Sequence, residues 1–421
     1  MAAILLDQEQ PPRYSPAERD RRWALARQVM DAEQVDALLV YGDREGTGPA
    51  PFAPDTYFTN DRPGALVIFP RDGEPVALYA IPEMAIDHLE ARRRGEDVWL
   101  QPENVRVGRF APDIVAALRD LGLGQARLGV LGLDPYPPFY FTGALVHGMW
   151  GAITSQLPQV SLRSVWKRFA LATMTQSQEE LAAIAWAARA GEGMARAIVE
   201  ATRPGVRENE LYAAAMQAAF AGGAASPGLL LLTGADPVGW GPPAWLYRPQ
   251  AARTIDAGEV VLAEIFASFG MRESQHQLAI AVGDLDPDAE RAADVVRRSY
   301  EAGLALLRPG RTLAEVVQAM EQPLREAGAW NLRPLIHGMN PFGSIGGYVG
   351  GLERIPGTER YHHLGFIPLV LGELELRPGM TFSVEPNCGL GLHQMTAGTT
   401  VVIGEDEPIE LGTLTTRVLR V

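Results

Sequence analysis

The sequence predicts two domains: a smaller mixed α/β domain, then an α+β domain with internal pseudo-two-fold symmetry. A chain of 421 residues is longer than one ordinary hydrophobic core supports. Helix-like and strand-like segments alternate over residues 1–170, whereas residues 171–421 repeat two short patterns in the same order. We therefore predict a domain boundary between residues 170 and 171.

The elements of the first domain follow from apolar periodicity and one turn. Residues 18–32 have helical spacing, and the apolar run 37–40 is typical of a buried strand. The runs 65–69 and 76–79 flank the turn Pro70-Arg-Asp-Gly-Glu-Pro. Because proline and glycine favour turns, this arrangement predicts a β-hairpin.

The second domain begins with a capping box in which Ser177 precedes Glu180, so a long amphipathic helix is predicted to follow. The turn Arg203-Pro-Gly lies between two helical segments and recurs, with the same flanks, at Arg308-Pro-Gly. Each half thus contains a helix, an RPG turn and a second helix. One such match is weak, because RPG is a common connector between helices.

A second repeated pattern places a glutamate at the end of a strand in each half. Glu264 lies six residues after Gly258, and Glu385 lies six residues after Gly379. Two repeated patterns in the same order indicate pseudo-two-fold symmetry, whose axis would bring the two glutamates together in one cleft. When two carboxylates lie so close together, their repulsion raises the pKa of at least one of them, so one can act as an acid and the other as a base.

Composition excludes several classes of function. The net charge of −14 opposes binding to nucleic acid, and no apolar run has the length of a membrane span. The N-terminus lacks the features of a signal peptide, so we expect a cytoplasmic protein. Cys388 is the only cysteine, which rules out an intramolecular disulfide and a thiolate metal cluster.

Four segments resemble the Xaa-Pro aminopeptidase and creatinase superfamily, whose members share the pita-bread fold: 54–64, 177–211, 255–265 and 376–387. The resemblance covers nearly the whole chain and implies a creatinase-type N-domain before the pita-bread domain. It also implies a hydrolase. Metallopeptidases of this superfamily hold two divalent cations with Asp, Asp, His, Glu and Glu. In that order, the five positions match Glu264, Gln275, Asn340 or Pro341, Glu385 and Gly398.

Only two of the five positions keep a carboxylate, so we predict a site without a metal, similar to that of creatinase. The resemblance places creatinase's catalytic histidine at Tyr247 and one of its substrate-binding glutamates at Gln277. We predict Glu264 and Glu385 as the acid and base, assisted by Tyr247 and by His337, where family members also carry a histidine. The alternative is manganese or zinc bound by an altered ligand set.

Residues 233–248 contain two tryptophans, one tyrosine, three prolines and three glycines. Aromatic faces on a rigid loop suit a cationic or apolar ligand, whereas the structural alternative is a loop covered by the N-domain or by a second subunit. If Gln275 and Gln277 line the cleft, strand alternation turns His276 away from it. The predicted substrate-binding residues are Trp240, Trp245, Gln275, Gln277, Asn340 and His393.

Three functions stay open. The first is a metal-independent hydrolase or lyase that cleaves a C–N bond in a small polar, possibly cationic, molecule. The second is a metal-dependent Xaa-Pro peptidase with altered ligands, and the third is a non-catalytic binding protein. We also expect a homodimer in which the partner covers the loop at residues 41–52, because a long loop rich in glycine and proline costs entropy to order.

Overall fold

The computed structural model describes residues 9–42, 54–133, 146–341, 343–363 and 368–421. These residues divide into two compact units, Arg13–Thr173 and Met174–Val421, the latter with the described residues before Arg13. Most of the loop predicted to contact a partner lies outside the described residues, and the homodimer and the cytoplasmic location stay predictions. Within the described ranges, no helix is long and apolar enough to cross a membrane.

The described ranges contain helices and strands in both units. The α-helices are α1 (Pro16–Glu33), α2 (Pro54–Thr59), α3 (Pro82–Arg93), α4 (Ala111–Asp120), α5 (His147–Gln156), α6 (Trp166–Thr173), α7 (Gln178–Ala201), α8 (Glu208–Ala221), α9 (Pro287–Leu306) and α10 (Leu313–Glu326). Strands of the first unit are β1 (Ala37–Tyr41), β2 (Leu66–Pro70), β3 (Val76–Tyr79), β4 (Val105–Val107), β5 (Arg127–Leu131) and β6 (Ser161–Ser164).

The second unit contains the remaining strands. They are β7 (Leu229–Gly234), β8 (Val260–Phe269), β9 (Arg272–Ala281), β10 (Ile336–Met339), β11 (Ile345–Gly346), β12 (Thr381–Val384), β13 (Asn387–Leu390), β14 (His393–Thr396), β15 (Gly398–Ile403), β16 (Pro408–Glu410) and β17 (Leu419–Arg420). Short 3-10 helices cover Pro102–Asn104, Ala244–Leu246, Leu352–Arg354 and Glu359–Tyr361.

The first unit is built on a six-stranded mixed sheet in the order β4-β3-β2-β1-β5-β6. Strands β2 and β3 pair antiparallel, which confirms the predicted hairpin, while β5 lies parallel to β1. One face of the sheet packs its apolar side chains against α4 and α5. On the other face the rings of Trp23 and Phe58 both pack on Phe69.

The buried carboxyl group of Asp55 binds the backbone just before β2. The backbone N–H groups of Gly64 and Ala65 donate to Asp55 Oδ2 at 2.8 and 2.9 Å. Oδ1 of the same side chain is buried without a hydrogen-bond partner among the described residues. Burial raises the pKa of Asp55 to about 7, although its backbone hydrogen bonds oppose the shift.

The raised pKa of Asp55 predicts a pH-dependent stability of the first unit. Folding raises this pKa from about 4, so the protonated carboxyl stabilises the unit in acid, and the contribution is lost as the pH rises through about 7. Asp55→Asn keeps an acceptor for Gly64 and Ala65 but does not titrate, so its stability should not fall in this way as the pH rises. Thermal melts of both proteins between pH 5 and 8 measure this, and parallel pH curves would contradict the assignment.

The second unit contains a nine-stranded sheet, with the path β11-β10-β12-β15-β9-β8-β7 and with β16 and β17 paired to β15 and β9. The predicted symmetry appears in its backbone hydrogen bonds. Gly258 N–H donates to Val282 O at 2.7 Å, and Gly379 N–H donates to Ile403 O at 2.8 Å. Both glycines have left-handed φ values, 85° and 86°, which a side chain would strain.

The two RPG turns occupy equivalent places beside these strands. Gly205 N–H, between α7 and α8, donates to Ile255 O at 2.8 Å. Gly310 N–H, between α9 and α10, donates to Leu376 O at 3.1 Å. Each turn is therefore joined to the segment just before a glutamate-bearing strand, and the repeated patterns in the sequence mark the two halves of the fold.

Helix α7 begins at the predicted capping box, where Glu180 N–H donates to Ser177 Oγ and Ser177 N–H to the Glu180 carboxylate. The helix packs on the outer face of β8 and β9. His276 lies on this outer face, as alternation along β9 predicts, and its ring contacts the helix at Gly191. A Cβ at Gly191 would lie 2.5 Å from His276 Cδ2, so only glycine fits there.

Two glycines of α7 provide a matched test of this packing. Gly191→Ala should lower the free energy of unfolding by about 1–3 kcal/mol, because the His276 ring must move. Gly193→Ala should raise it by up to about 1 kcal/mol, because nothing lies within 4 Å and alanine favours the helix. Urea titrations of both variants measure these changes, and equal effects would contradict the close contact.

Candidate active site

Strand register brings the predicted polar residues to the inner face of the sheet. Glu264 on β8 pairs with Gln277 on β9, and Phe266 pairs with Gln275 two residues along. All of them point away from α7, because side chains alternate along a strand and the intervening residues pack on the helix. Glu385 follows β12 and is equally buried.

Glu264 is bound by an aromatic side chain. Trp240 Nε1 donates to Glu264 Oε2 at 2.6 Å, which makes this predicted loop residue part of the site. Trp240 also contacts the guanidinium of Arg333, whose Cζ lies 3.4 Å from the centroid of the Trp240 ring. The aromatic face that we expected to receive a cationic ligand therefore carries the protein's own cation.

Glu385 is held by three polar neighbours. Gln277 Nε2 donates to Glu385 Oε2 at 2.9 Å, and Ser383 Oγ donates to the same oxygen at 3.4 Å. His337 Nε2 lies 3.6 Å from Glu385 Oε1. Gln277 thus faces both carboxyl groups, since it is also the register partner of Glu264.

Burial and mutual repulsion shift the pKa of both carboxyl groups upward. Burial raises the pKa of Glu264, against the charge of Arg333 and the Trp240 hydrogen bond. Burial and then the charge of Glu264 raise the pKa of Glu385 well above its ordinary value, and Arg333 opposes this. We infer that the pair carries one negative charge, with the proton on Glu385.

Arg333 and His337 complete the charge balance. Burial lowers the pKa of Arg333 to about 10, so the guanidinium stays charged at neutral pH. Burial lowers the pKa of His337 to about 4, so its imidazole is neutral. One buried cation therefore accompanies two carboxyl groups whose pKa values are both raised, so it can compensate the charge of one of them.

Both ring nitrogens of His337 lie near an oxygen atom of a neighbouring group. Nδ1 lies 3.0 Å from Gly338 O, and Nε2 lies 3.0 Å from Gln275 Oε1. Gln275 Nε2 in turn donates to Glu273 Oε1 at 2.8 Å. Burial raises the pKa of Glu273 well above its ordinary value. These contacts hold His337 beside Glu385 as a positioning residue.

The positions that match the family's metal ligands do not fit a pair of divalent cations. The Gln275 amide already has the hydrogen-bond partners described above. The Asn340 amide also has two: its oxygen accepts from Glu273 N–H and its nitrogen donates to Glu273 O, both at 2.9 Å. A Cβ at Gly398 would lie 1.9 Å from Val384 O, so no side chain fits there. Among the described residues, no three His, Cys, Asp or Glu side chains form a group that could hold a metal ion.

Three predicted residues lie in other surroundings. The Trp245 ring packs edge-on against Tyr212, and the Tyr247 side chain is 77% exposed. His393 lies between two aspartates, with Nδ1 3.0 Å from Asp236 Oδ1 and Nε2 3.3 Å from Asp286 Oδ1. None of these described contacts joins Trp245, Tyr247 or His393 to the two glutamates.

Two residues that sequence analysis missed lie near the glutamates. Arg333 precedes β10 in a loop without periodicity, so its sequence offers no signal. Burial raises the pKa of Tyr348, and the nearby carboxyl group of Glu385 raises it further. Tyr348 is in the glycine-rich run 343–351, which contains no motif that marks it as a site residue.

Residues 182–407, more than half of the chain, match the profile of Metallopeptidase family M24. The chain belongs to metallopeptidase family M24. This identifies a hydrolase superfamily and confirms the predicted pita-bread fold. No curated protein sequence matches this M24 chain.

Solved structures share the fold at low sequence identity. X-Pro aminopeptidase from Thermotoga maritima is 15% identical with a TM-score of 0.70, covering 95% of this chain and 99% of that one. Dipeptidase PepE from Mycobacterium ulcerans is 21% identical with a TM-score of 0.67, covering 97% and 99%. The N-terminal domain of FACT complex subunit SPT16 from chickpea is 13% identical with a TM-score of 0.63, covering 96% and 99%.

The charge balance predicts unequal effects of two isosteric substitutions. Glu385→Gln should change the free energy of unfolding by less than about 1 kcal/mol, because it replaces a protonated carboxyl group. Glu264→Gln should lower it by about 1–3 kcal/mol, because the buried Arg333 charge loses its compensation. Denaturant titrations at pH 7 compare the two. A larger loss for Glu385→Gln would place the ionised carboxylate there instead.

Proposed function

We propose that this M24 protein is a hydrolase that cleaves a C–N bond in a small polar molecule through its own side chains, without a divalent metal. The observation that carries the proposal is the buried pair Glu264 and Glu385, in which the pKa of both carboxyl groups is raised by burial and that of Glu385 further by the charge of Glu264. Such a pair supplies a base and an acid in one site at neutral pH. The residues at three of the five family ligand positions support the metal-independent form, because the amide oxygens of Gln275 and Asn340 already have partners and Gly398 has no side chain.

The proposed reaction uses the two carboxyl groups in turn. Glu264 takes a proton from water as the water oxygen attacks the carbonyl carbon of an amide. Glu385 gives its proton to the nitrogen as the C–N bond breaks, so the products are a carboxylic acid and an amine. The proton gained by Glu264 passes to Glu385 before the next turnover. His337 and Gln277 hold Glu385 in place through the contacts described above.

A non-catalytic binding role is the second candidate. It is supported by the loss of three family ligand positions and by the likeness to the SPT16 domain, which is named as a subunit of a complex and not as a peptidase. A metal-dependent Xaa-Pro peptidase is the third candidate, supported by the family's name and by the likeness to structures named as an X-Pro aminopeptidase and a dipeptidase.

Amine release from a panel of Xaa-Pro dipeptides, N-acyl amino acids and small amides tests the proposal. We expect turnover of at least one compound in EDTA, lowered about 10²–10⁴-fold in Glu264→Gln and in Glu385→Gln. Glu375→Gln is the matched control, because this glutamate is 61% exposed and should leave the rate unchanged.

Each alternative gives a different result in the same assay. Activity that is abolished by EDTA and restored by Mn²⁺ or Zn²⁺ would support the metal-dependent peptidase. Turnover that is unaffected by both substitutions would exclude the glutamates as acid and base. Absence of turnover throughout the panel, with and without added metal, would favour the binding role.

A further inference from the structure

Arg333 is held rigidly although its guanidinium donates no hydrogen bond to the described residues. Its backbone carbonyl accepts from Asn331 Nδ2 at 2.8 Å and from Asn387 Nδ2 at 3.5 Å. Pro334 follows and restricts the backbone of Arg333. The guanidinium packs on the Trp240 ring, with Cζ 3.4 Å from the ring centroid, and this contact restricts where its donors can lie.

The end of this side chain is a buried donor. Arg333 Nη2 is inaccessible to solvent and has no hydrogen-bond partner in the described ranges. Arg333 also forms no direct ion pair there, although its two glutamate neighbours, Glu264 first, raise its pKa against the effect of burial. A buried charged donor without an acceptor destabilises the folded protein, and a bound acceptor would recover that free energy. This cost is consistent with a donor whose acceptor belongs to a ligand.

We propose that Arg333 is the ligand-selecting cation of the site, donating from Nη2 to a carbonyl or carboxylate oxygen of the bound molecule. The proposal rests on the hydrolase function proposed above, in which an amide is the substrate and a carboxylate is a product. Both present the same oxygen acceptor to the guanidinium. As water attacks, the carbonyl oxygen gains negative charge, which Arg333 stabilises.

This assignment replaces the cationic ligand that the aromatic loop predicted. A cation would meet the fixed charge of Arg333 at the Trp240 face, and repulsion between like charges in a buried site is strong. The site should therefore prefer neutral or anionic molecules that carry an oxygen acceptor, and it should reject ammonium compounds.

Fluorine NMR with three small probes tests the selection by charge. The probes are trifluoroacetamide, trifluoroacetate and 2,2,2-trifluoroethylammonium, titrated into the full chain. We expect saturable binding of the first two and none of the third. In Arg333→Gln the affinity for trifluoroacetate should fall about tenfold or more, because one charge-assisted hydrogen bond is lost. Arg377→Gln is the control, since this arginine is 67% exposed.

Two further comparisons keep the outcomes distinct. Arg333→Lys keeps the charge without the planar fork, so it should bind trifluoroacetate more tightly than Arg333→Gln; it also serves if the glutamine variant does not fold. Unchanged probe affinity in Arg333→Gln, or no saturable binding of either oxygen probe to the wild-type chain, would overturn the proposal. Binding that depends on Arg333 without hydrolysis of any panel amide would support the ligand site and contradict the hydrolase.

Discussion

The site depends on the balance of charge around two interior glutamates. Glu264 and Glu385 are buried at the inner face of one sheet, where two anions would repel each other strongly. One guanidinium offsets one of them, and the other keeps its proton. The neutral amides of Gln275 and Gln277 agree with this balance, because they add no further fixed charge beside the two glutamates. Two divalent cations would need a more anionic set of ligands than the described residues provide.

The backbone that brings the glutamates together depends on short local patterns, and each pattern occurs once in each half of the second unit. Gly258 and Gly379 turn the chain into equivalent strands, and their N–H groups bond to equivalent partners. Because the capping box and the RPG turns depend on neighbouring residues, the sequence predicts the helices, the hairpin of the first unit and the symmetry. The M24 profile and the shared fold of solved structures agree with that prediction.

The surroundings of the glutamates are harder to predict, since they depend on which strands and loops meet. Arg333 reaches the site because β10 pairs with β12, a contact between segments more than forty residues apart. The loop residues Trp240 and Tyr247 have no strand register, so sequence alone could not separate the half-buried tryptophan, which binds Glu264, from the exposed tyrosine. On the strand, by contrast, the match to family positions assigned Gln275 and Gln277 to the cleft, and alternation then placed His276 on the opposite face.

The departure from the family's ligand set is built into the backbone as well as into side-chain identity. At Gly398 the φ value is 148°, and Val384 O occupies the space that a side chain would need. At Asn340 the amide joins the loop after β10 to the backbone of β9, so removing it would loosen that connection. A single Gln275→Asp change would therefore add a buried negative charge without restoring a ligand at either position. Because Arg333 already provides the local positive charge, a change at any one of these groups alters the charge balance of the others, and the guanidinium and carboxyl groups form one coupled arrangement.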